Sequence, residues 1–170
     1  MLVLAAFAAL APAAEYSADA VRATYLFRFS SYVEWPEASR HGDFLIGVVG
    51  DEEVRTHLER LINGMVVDGR QAKVRRVVGA KDLEGVHILY VGAKAFRSSR
   101  ALREIAIRKP ILIVTNSRDG LDGGGVINFV EVNRNLRFEI SLDAADRGGL
   151  KIDSALLSVA ARVEARRGKS

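Results

Sequence analysis

Alternation of strand-like and helix-like segments is the strongest constraint in this chain. Residues 44–49, 86–91 and 111–115 are short apolar runs, each bounded by Gly, Pro or Asp. Such runs have the length and punctuation of buried strands. Between them, residues 52–63 and 94–107 are helix-length; in the first, Val54, Leu58, Leu61 and Ile62 recur at three- and four-residue steps. Strands alternating with helices of this length predict α/β architecture with a mainly parallel sheet, because parallel neighbours need a crossover. Residues 65–67, Asp68-Gly69 and residues 71–78 add a turn and a further strand.

The pattern changes after Gly123-Gly124-Gly125. Residues 126–132 are apolar, and Leu136, Phe138, Ile140 and Leu142 alternate with Arg137, Glu139, Ser141 and Asp143. That is the period-2 signature of a half-buried strand, and Asn133-Arg134-Asn135 supplies a polar turn before it. A late antiparallel hairpin follows, leading through a polar linker to a terminal helix over 154–165 with Leu156, Leu157, Ala160, Ala161 and Val163 inward. The fold expected is an α/β layered sandwich with a mainly parallel central sheet, a late antiparallel hairpin and flanking helices. A chain of 170 residues suits one such domain.

At the other end, residues 1–13 carry no charge and are almost all Leu, Val, Ala and Phe. The run is too short to span a bilayer, and Ala11-Pro12-Ala13 fits a signal-peptidase site. The expectation is a signal peptide over 1–13 with a truncated basic region, then a single domain over 16–166. Ser17 then caps a helix expected to reach Val33. Tyr25, Phe27, Phe29, Tyr32 and Trp35 crowd this segment, and Trp35-Pro36 stops it. An aromatic stripe of this kind reads as a core helix against a sheet, with an aromatic binding surface as the sharper alternative.

Composition excludes several chemistries. With no cysteine there is no disulfide, thiolate zinc site or thiol nucleophile. His41, His57 and His87 are far apart and read as surface or strand-edge histidines, so no metal site is expected. No Gly-x-Ser-x-Gly elbow exists, and Gly47-Val48-Val49-Gly50-Asp51 lacks the third glycine of a dinucleotide loop and the Lys-Ser/Thr of a phosphate loop. No catalytic residues and no cofactor are expected. The charge of +4 rests on scattered arginines. Arg97, Arg100 and Arg103 are the best helical cluster and read as a solvated face, so nucleic acid is not an expected partner. Asn128, Glu131, Arg137, Glu139 and Lys151 remain as polar residues in or beside the hairpin. They read either as a solvated ion-paired face or as a protein-binding rim.

Taken together, several of these blocks resemble the YfiR family. The run Arg22-Ala-Thr-Tyr-Leu-Phe-Arg-Phe-Ser-Ser-Tyr-Val-Glu-Trp-Pro36 is similar to its N-terminal signature. Gly124-Gly-Val-Ile-Asn-Phe-Val130 and Leu136-Arg-Phe-Glu-Ile140 resemble its most distinctive block, and Gly149-Leu-Lys-Ile152 through Leu156-Leu157 its closing segment. The resemblance implies a periplasmic regulator and not an enzyme. Its expected partner is the periplasmic domain of an inner-membrane diguanylate cyclase, as for the cyclase YfiN, or of another sensor protein. An outer-membrane lipoprotein that sequesters the regulator, a homodimer, and control of cyclic-di-GMP and biofilm formation are also implied. Partner-binding positions implied by the motif are Phe129 and Glu139, with Ile127 and Ala145 as neighbours. Redox control by disulfide is not open to a chain without cysteine. The alternative reading is a periplasmic small-molecule sensor or binding module acting on a two-component or other membrane receptor, its cleft at the C-terminal strand edges.

Overall fold

Ser17 opens the first helix by accepting the Ala20 N–H at 3.1 Å on its hydroxyl. The computed structural model describes residues 17–165, so the expected signal peptide lies outside the described residues. Helix α1 (Ala18–Phe29) ends four residues before the expected Val33. The Ser30 hydroxyl donates to the Phe27 carbonyl at 2.6 Å, and the chain straightens into β1 (Val33–Glu34) before Trp35-Pro36.

Next come β2 (Phe44–Val49), α2 (Glu52–Ile62), β3 (Val66–Val67), β4 (Arg70–Arg76) and β5 (Val86–Val91). Asp51 caps α2 by accepting the Val54 N–H, and Asp68 and Gly69, both at positive φ, turn β3 into β4. The expected helix over 94–107 is broken. A 3-10 turn at Ala93–Ala95 precedes α3 (Arg100–Ala106), because Ser98 and Ser99 bond back to the carbonyls of Ala95 and Phe96. Then follow β6 (Leu112–Thr115), β7 (Ile127–Val132), β8 (Asn135–Ser141), α4 (Leu142–Arg147), β9 (Lys151–Ile152), α5 (Ser154–Val159) and β10 (Arg162–Glu164). The hairpin turns on Asn133 and Arg134, both at positive φ, with Asn135 already in β8.

The terminal helix is shorter than its sequence suggests. It stops at Val159, and residues 162–164 pair with β8 in parallel instead. Ala161 N–H donates to the Phe138 carbonyl at 2.8 Å, so tertiary pairing overrides helix propensity. Ala161 and Val163, expected inside, are exposed.

The main sheet runs β10-β8-β7-β6-β5-β2-β4-β3, parallel from β4 to β7, with the antiparallel hairpin at one side. Strand β5 shows how two cores form. Ile88 and Tyr90 face α1 and α2, in a core with Leu26, Phe29, Leu58 and Phe129; Leu89 and Val91 face α3, with Leu102 and Ala106. Among the described residues no helix is long and apolar enough to cross a membrane.

Candidate interaction site

Strand β1 leaves α1 and pairs antiparallel with β9, Val33 opposite Ile152 and Glu34 opposite Lys151. Blocks 118 residues apart in sequence therefore meet at one corner. Glu34 is its hub: the Arg40 guanidinium lies 3.2 Å and the Lys151 ammonium 3.8 Å from Oε1. A crevice of about 510 Å³ opens beside it, walled by Ser31, Trp35, Arg40, Asp68 and Arg70. Another of about 460 Å³ lies between Trp35, Pro36, Arg40, Gly149 and Lys151.

The corner is anchored by His87, which corrects its expected surface or strand-edge place. His87 is 1% exposed and sits in a bulge of central strand β5, where the β2 register steps from Val86 to Ile88. The extra residue leaves Leu45 N–H without its regular partner, and His87 Nδ1 accepts that proton at 3.2 Å. Nε2 lies 2.7 Å from the Ser39 carbonyl and 2.8 Å from an Arg70 nitrogen. The His87 carbonyl accepts the Trp35 indole N–H at 3.1 Å, and the imidazole stacks on Phe44. Burial, and then the Arg70 charge, hold the His87 pKa below its ordinary range against the opposing pull of the Ser39 carbonyl. Trp35 is thus fastened to the sheet, and aromatics from 25 to 35 are mainly spent on packing.

The expected partner positions do not form one patch. Phe129 is 4% exposed, stacked on Phe29 with ring centroids 5.9 Å apart; Ile127 is 0% and Ala145 1% exposed. These three side chains belong to the core. Phe129 lies opposite Phe138 in the ladder, whereas Glu139 lies opposite Asn128, so Phe129 and Glu139 point to opposite faces of the sheet. Glu139 is held by a two-pronged bond from Arg162, at 3.0 and 3.1 Å. Nor do Arg137, Glu139 and Ser141 make a common rim. Arg137 donates to the Val159 carbonyl at 3.1 Å, and buried Ser141 caps α4 by accepting the Ala144 N–H. Asn128 is a buried brace, its Oδ1 accepting from the Thr115 hydroxyl at 2.8 Å and from Ser117 N–H. Glu131 is exposed.

A further cleft, of about 380 Å³, lies where Asp51, Lys94 and Asn116 follow the C-terminal ends of β2, β5 and β6, beside Asp19 and Arg22. The neighbours of β2 are β4 on one side and β5 on the other, so the order in which strands are laid down reverses here, the place where open α/β sheets hold ligands. Gly50 has φ +66°, and a Cβ there would strike Ala95. Tyr90 donates its phenol to Asp51 at 3.1 Å; burial and the carboxylate raise its pKa, keeping it a donor. Arg22 Nε and Asn116 Oδ1 are buried without a hydrogen-bond partner among the described residues. The sequence predicts a cleft at these strand ends without singling out its residues; the Gly50-Asp51 turn is the available signal. Among the described residues no group of three or more His, Asp or Glu could hold a metal ion.

The YfiR/HmsC-like family model matches residues 19–161. The chain belongs to that family. The match runs from α1 to the residue before β10, so it takes in both the corner and the hairpin of this YfiR/HmsC-like domain. A crystal structure of a conserved domain protein from Vibrio cholerae O1 biovar El Tor str. N16961 is similar in fold, with a TM-score of 0.57 at 12% identity. The alignment covers 87% of this chain and 60% of that one, so the chain spans less than two thirds of its length. No curated protein matches.

Proposed function

We propose that this YfiR/HmsC-like protein is a periplasmic, non-enzymatic regulator that binds the periplasmic domain of an inner-membrane signalling protein, a diguanylate cyclase, and holds it inactive. Cyclic-di-GMP and biofilm formation are then under its control. The observation that carries this reading is the family match over residues 19–161, whose members are regulatory rather than catalytic. Partner recognition in this reading uses exposed residues around the β1·β9 corner and the hairpin's outer strand, Glu34, Arg40, Arg137 and Lys151, in place of the buried Phe129, Ile127 and Ala145. A homodimer and an outer-membrane lipoprotein that sequesters it belong to the same proposal. Deleting the gene and measuring cyclic-di-GMP and surface attachment tests it. A rise in both is expected, and unchanged levels under every condition would overturn the cyclase version. Charge reversal at Glu34 and Lys151 together, with capture of the cyclase's periplasmic domain as readout, tests the corner.

A second reading, a small-molecule sensor acting on a two-component or other membrane receptor, is favoured by the cleft at the strand ends. An unpartnered donor on Arg22 and an unpartnered acceptor on Asn116 suit a ligand that offers both groups. Ligand binding to the folded state raises the melting temperature, so thermal-shift screening of small polar metabolites separates a sensor from a pure adaptor.

A further inference from the structure

Between Lys94 and Arg118 the chain holds seven of its 25 Lys and Arg residues but one of its 21 Asp and Glu residues, Glu104. The rest of the chain, with eighteen basic residues against twenty acidic, is net negative, so the whole positive balance originates in this segment. Apart from Lys94, which lines the cleft at the strand ends, the cations of this segment lie on the α3 side of the sheet. The segment comprises the turn before α3, α3 itself, the buried strand β6 and the start of the loop over 116–125, whose exposed Asp119 and Asp122 follow Arg118 and leave residues 94–125 with seven basic against three acidic residues. That loop lies on α3, since Arg103 donates to the Gly123 carbonyl at 2.5 Å and Gly124 lies against Ile107.

Arg103 is the exception within the cluster, and corrects the expected solvated trio. It is buried, donates to the Phe96 carbonyl at 2.8 Å and sits over the Phe96 ring at 3.8 Å. The other six cations, Lys94, Arg97, Arg100, Arg108, Lys109 and Arg118, are exposed. Arg100 bonds Glu104; the remaining five have no carboxylate partner among the described residues. On the α1 and α2 face the arginines are mixed: Arg22 is tied to Asp19 and Arg55 to Glu52 and Glu59, while Arg28 and Arg60 are exposed without a carboxylate partner among the described residues. Ile105, 41% exposed, stands on α3 among the free cations, and Val78, 80% exposed, precedes the 3-10 turn Ala80–Leu83 that packs on α3.

Unpaired cations around exposed aliphatic side chains match a surface that is anionic at headgroup level and apolar just beneath. We propose that the α3 face is a docking surface for anionic phospholipid headgroups, seating the protein flat on the bilayer with α1 and α2 turned away. The attraction is additive over cations within a Debye length of the lipid plane, each worth about a fivefold change in partition.

The test is co-sedimentation of the full chain with vesicles of phosphatidylethanolamine and phosphatidylglycerol, against vesicles of phosphatidylcholine. Binding is expected to the anionic vesicles only and is expected to disappear at high salt. The double variant Arg97→Glu/Arg100→Glu should bind at least about twentyfold more weakly. Arg28→Glu/Arg60→Glu, the same charge change at exposed positions of α1 and α2, should bind nearly as wild type. Equal losses in the two double variants would show attraction by net charge and overturn the proposal, as would no binding at low salt, which would leave the cations to an acidic protein. Circular dichroism of each variant confirms that the fold is kept. The assay contains no other protein, so its failure leaves the cyclase-regulator reading standing.

Discussion

Acid should loosen this fold through His87. The ring is buried, its Nδ1 accepts Leu45 N–H and its Nε2 faces the Ser39 carbonyl, which fits the neutral tautomer with its proton on Nε2. A second proton must go to Nδ1. There it meets the Leu45 N–H head on, strands a buried donor, and places a positive ring beside Arg70. The folded-state pKa is lowered, with burial the largest cause. The unfolded chain therefore takes up the proton first, as pH falls through the ordinary value of 6.5. Between that value and the folded pKa the unfolded state binds one proton more than the native state, so stability falls with falling pH. Above 6.5 the contribution is fully present; below the folded pKa the loss is complete.

The slope in that window approaches about 1.4 kcal/mol per pH unit, the limit for one proton. Against a total stability of about 5–15 kcal/mol for an ordinary domain, one pH unit is readily measured. Urea unfolding at several pH values on both sides of 6.5 gives the slope, and His87→Asn supplies the reference. Asn offers an oxygen to Leu45 N–H but does not titrate in this range, so the variant is less stable near neutrality and has a flatter profile. The difference between the two profiles isolates His87 from the carboxylates and the other histidines. If both profiles have the same slope, or if the His87 ring protons titrate at or above 6.5 by NMR, the reasoning is refuted.

Phe129→Ser removes a ring shared with Tyr25, Phe29 and Tyr90 and should cost about 3–5 kcal/mol, read as a lower urea midpoint; an unchanged midpoint would place Phe129 outside the core. Asn128→Ala leaves the Thr115 hydroxyl and Ser117 N–H unpaired and should cost about 2–3 kcal/mol by the same measurement. Glu139→Lys sets a like charge against Arg162, so hydrogen exchange at Ala161 and along β10 should speed while amides of β5 keep their protection. Gly50→Ala combines a left-handed φ with a Cβ driven into Ala95, and should lower the melting temperature more than Gly64→Ala, where φ is also positive but space is open.

Strands β2 and β5 were legible to the residue, because short apolar runs closed by Gly-Asp or Gly have few alternatives in an α/β chain. The hairpin is plain from its period of two, though its bounds differ by a residue: Val126 precedes β7, Asn135 is already in β8, and Leu142 opens α4. What the sequence hid were the places where one element borrows from another. Helix propensity continues through 160–165, yet the outer edge of β8 offers backbone partners that a local reading cannot see, and the chain becomes a strand. Arg103 reads as surface from its neighbours Arg97 and Arg100. It is buried because Phe96 and the glycine-rich loop provide a ring and two carbonyls for its guanidinium. The site was less legible still. An apolar hairpin with polar insertions suggests recognition, but alternation says only which residues share a face. It does not say which face is covered, and here α1 covers the face that holds Phe129.

The burial pattern also limits where partner choice can be encoded. The blocks that carry the family resemblance consist mostly of residues the fold consumes: Trp35 is bonded to the bulge at His87, Asn128 braces the ends of β6 and β7, and Phe138 and Ile140 fill the core. Changing these alters stability before it alters recognition. Interleaved with them, Glu34, Arg137 and Lys151 reach solvent from strands whose positions the buried residues fix. A rigid backbone with free outward side chains can keep its fold while partners change, because substitutions at such sites cost little in stability. A chimera that exchanges only these exposed residues and Arg40 for those of a relative with a different partner should therefore transfer binding with an unchanged melting temperature. Transfer that requires Phe129, Ile127 or Ala145 as well would mean that recognition works through the core, and the division drawn here between scaffold and surface would fail.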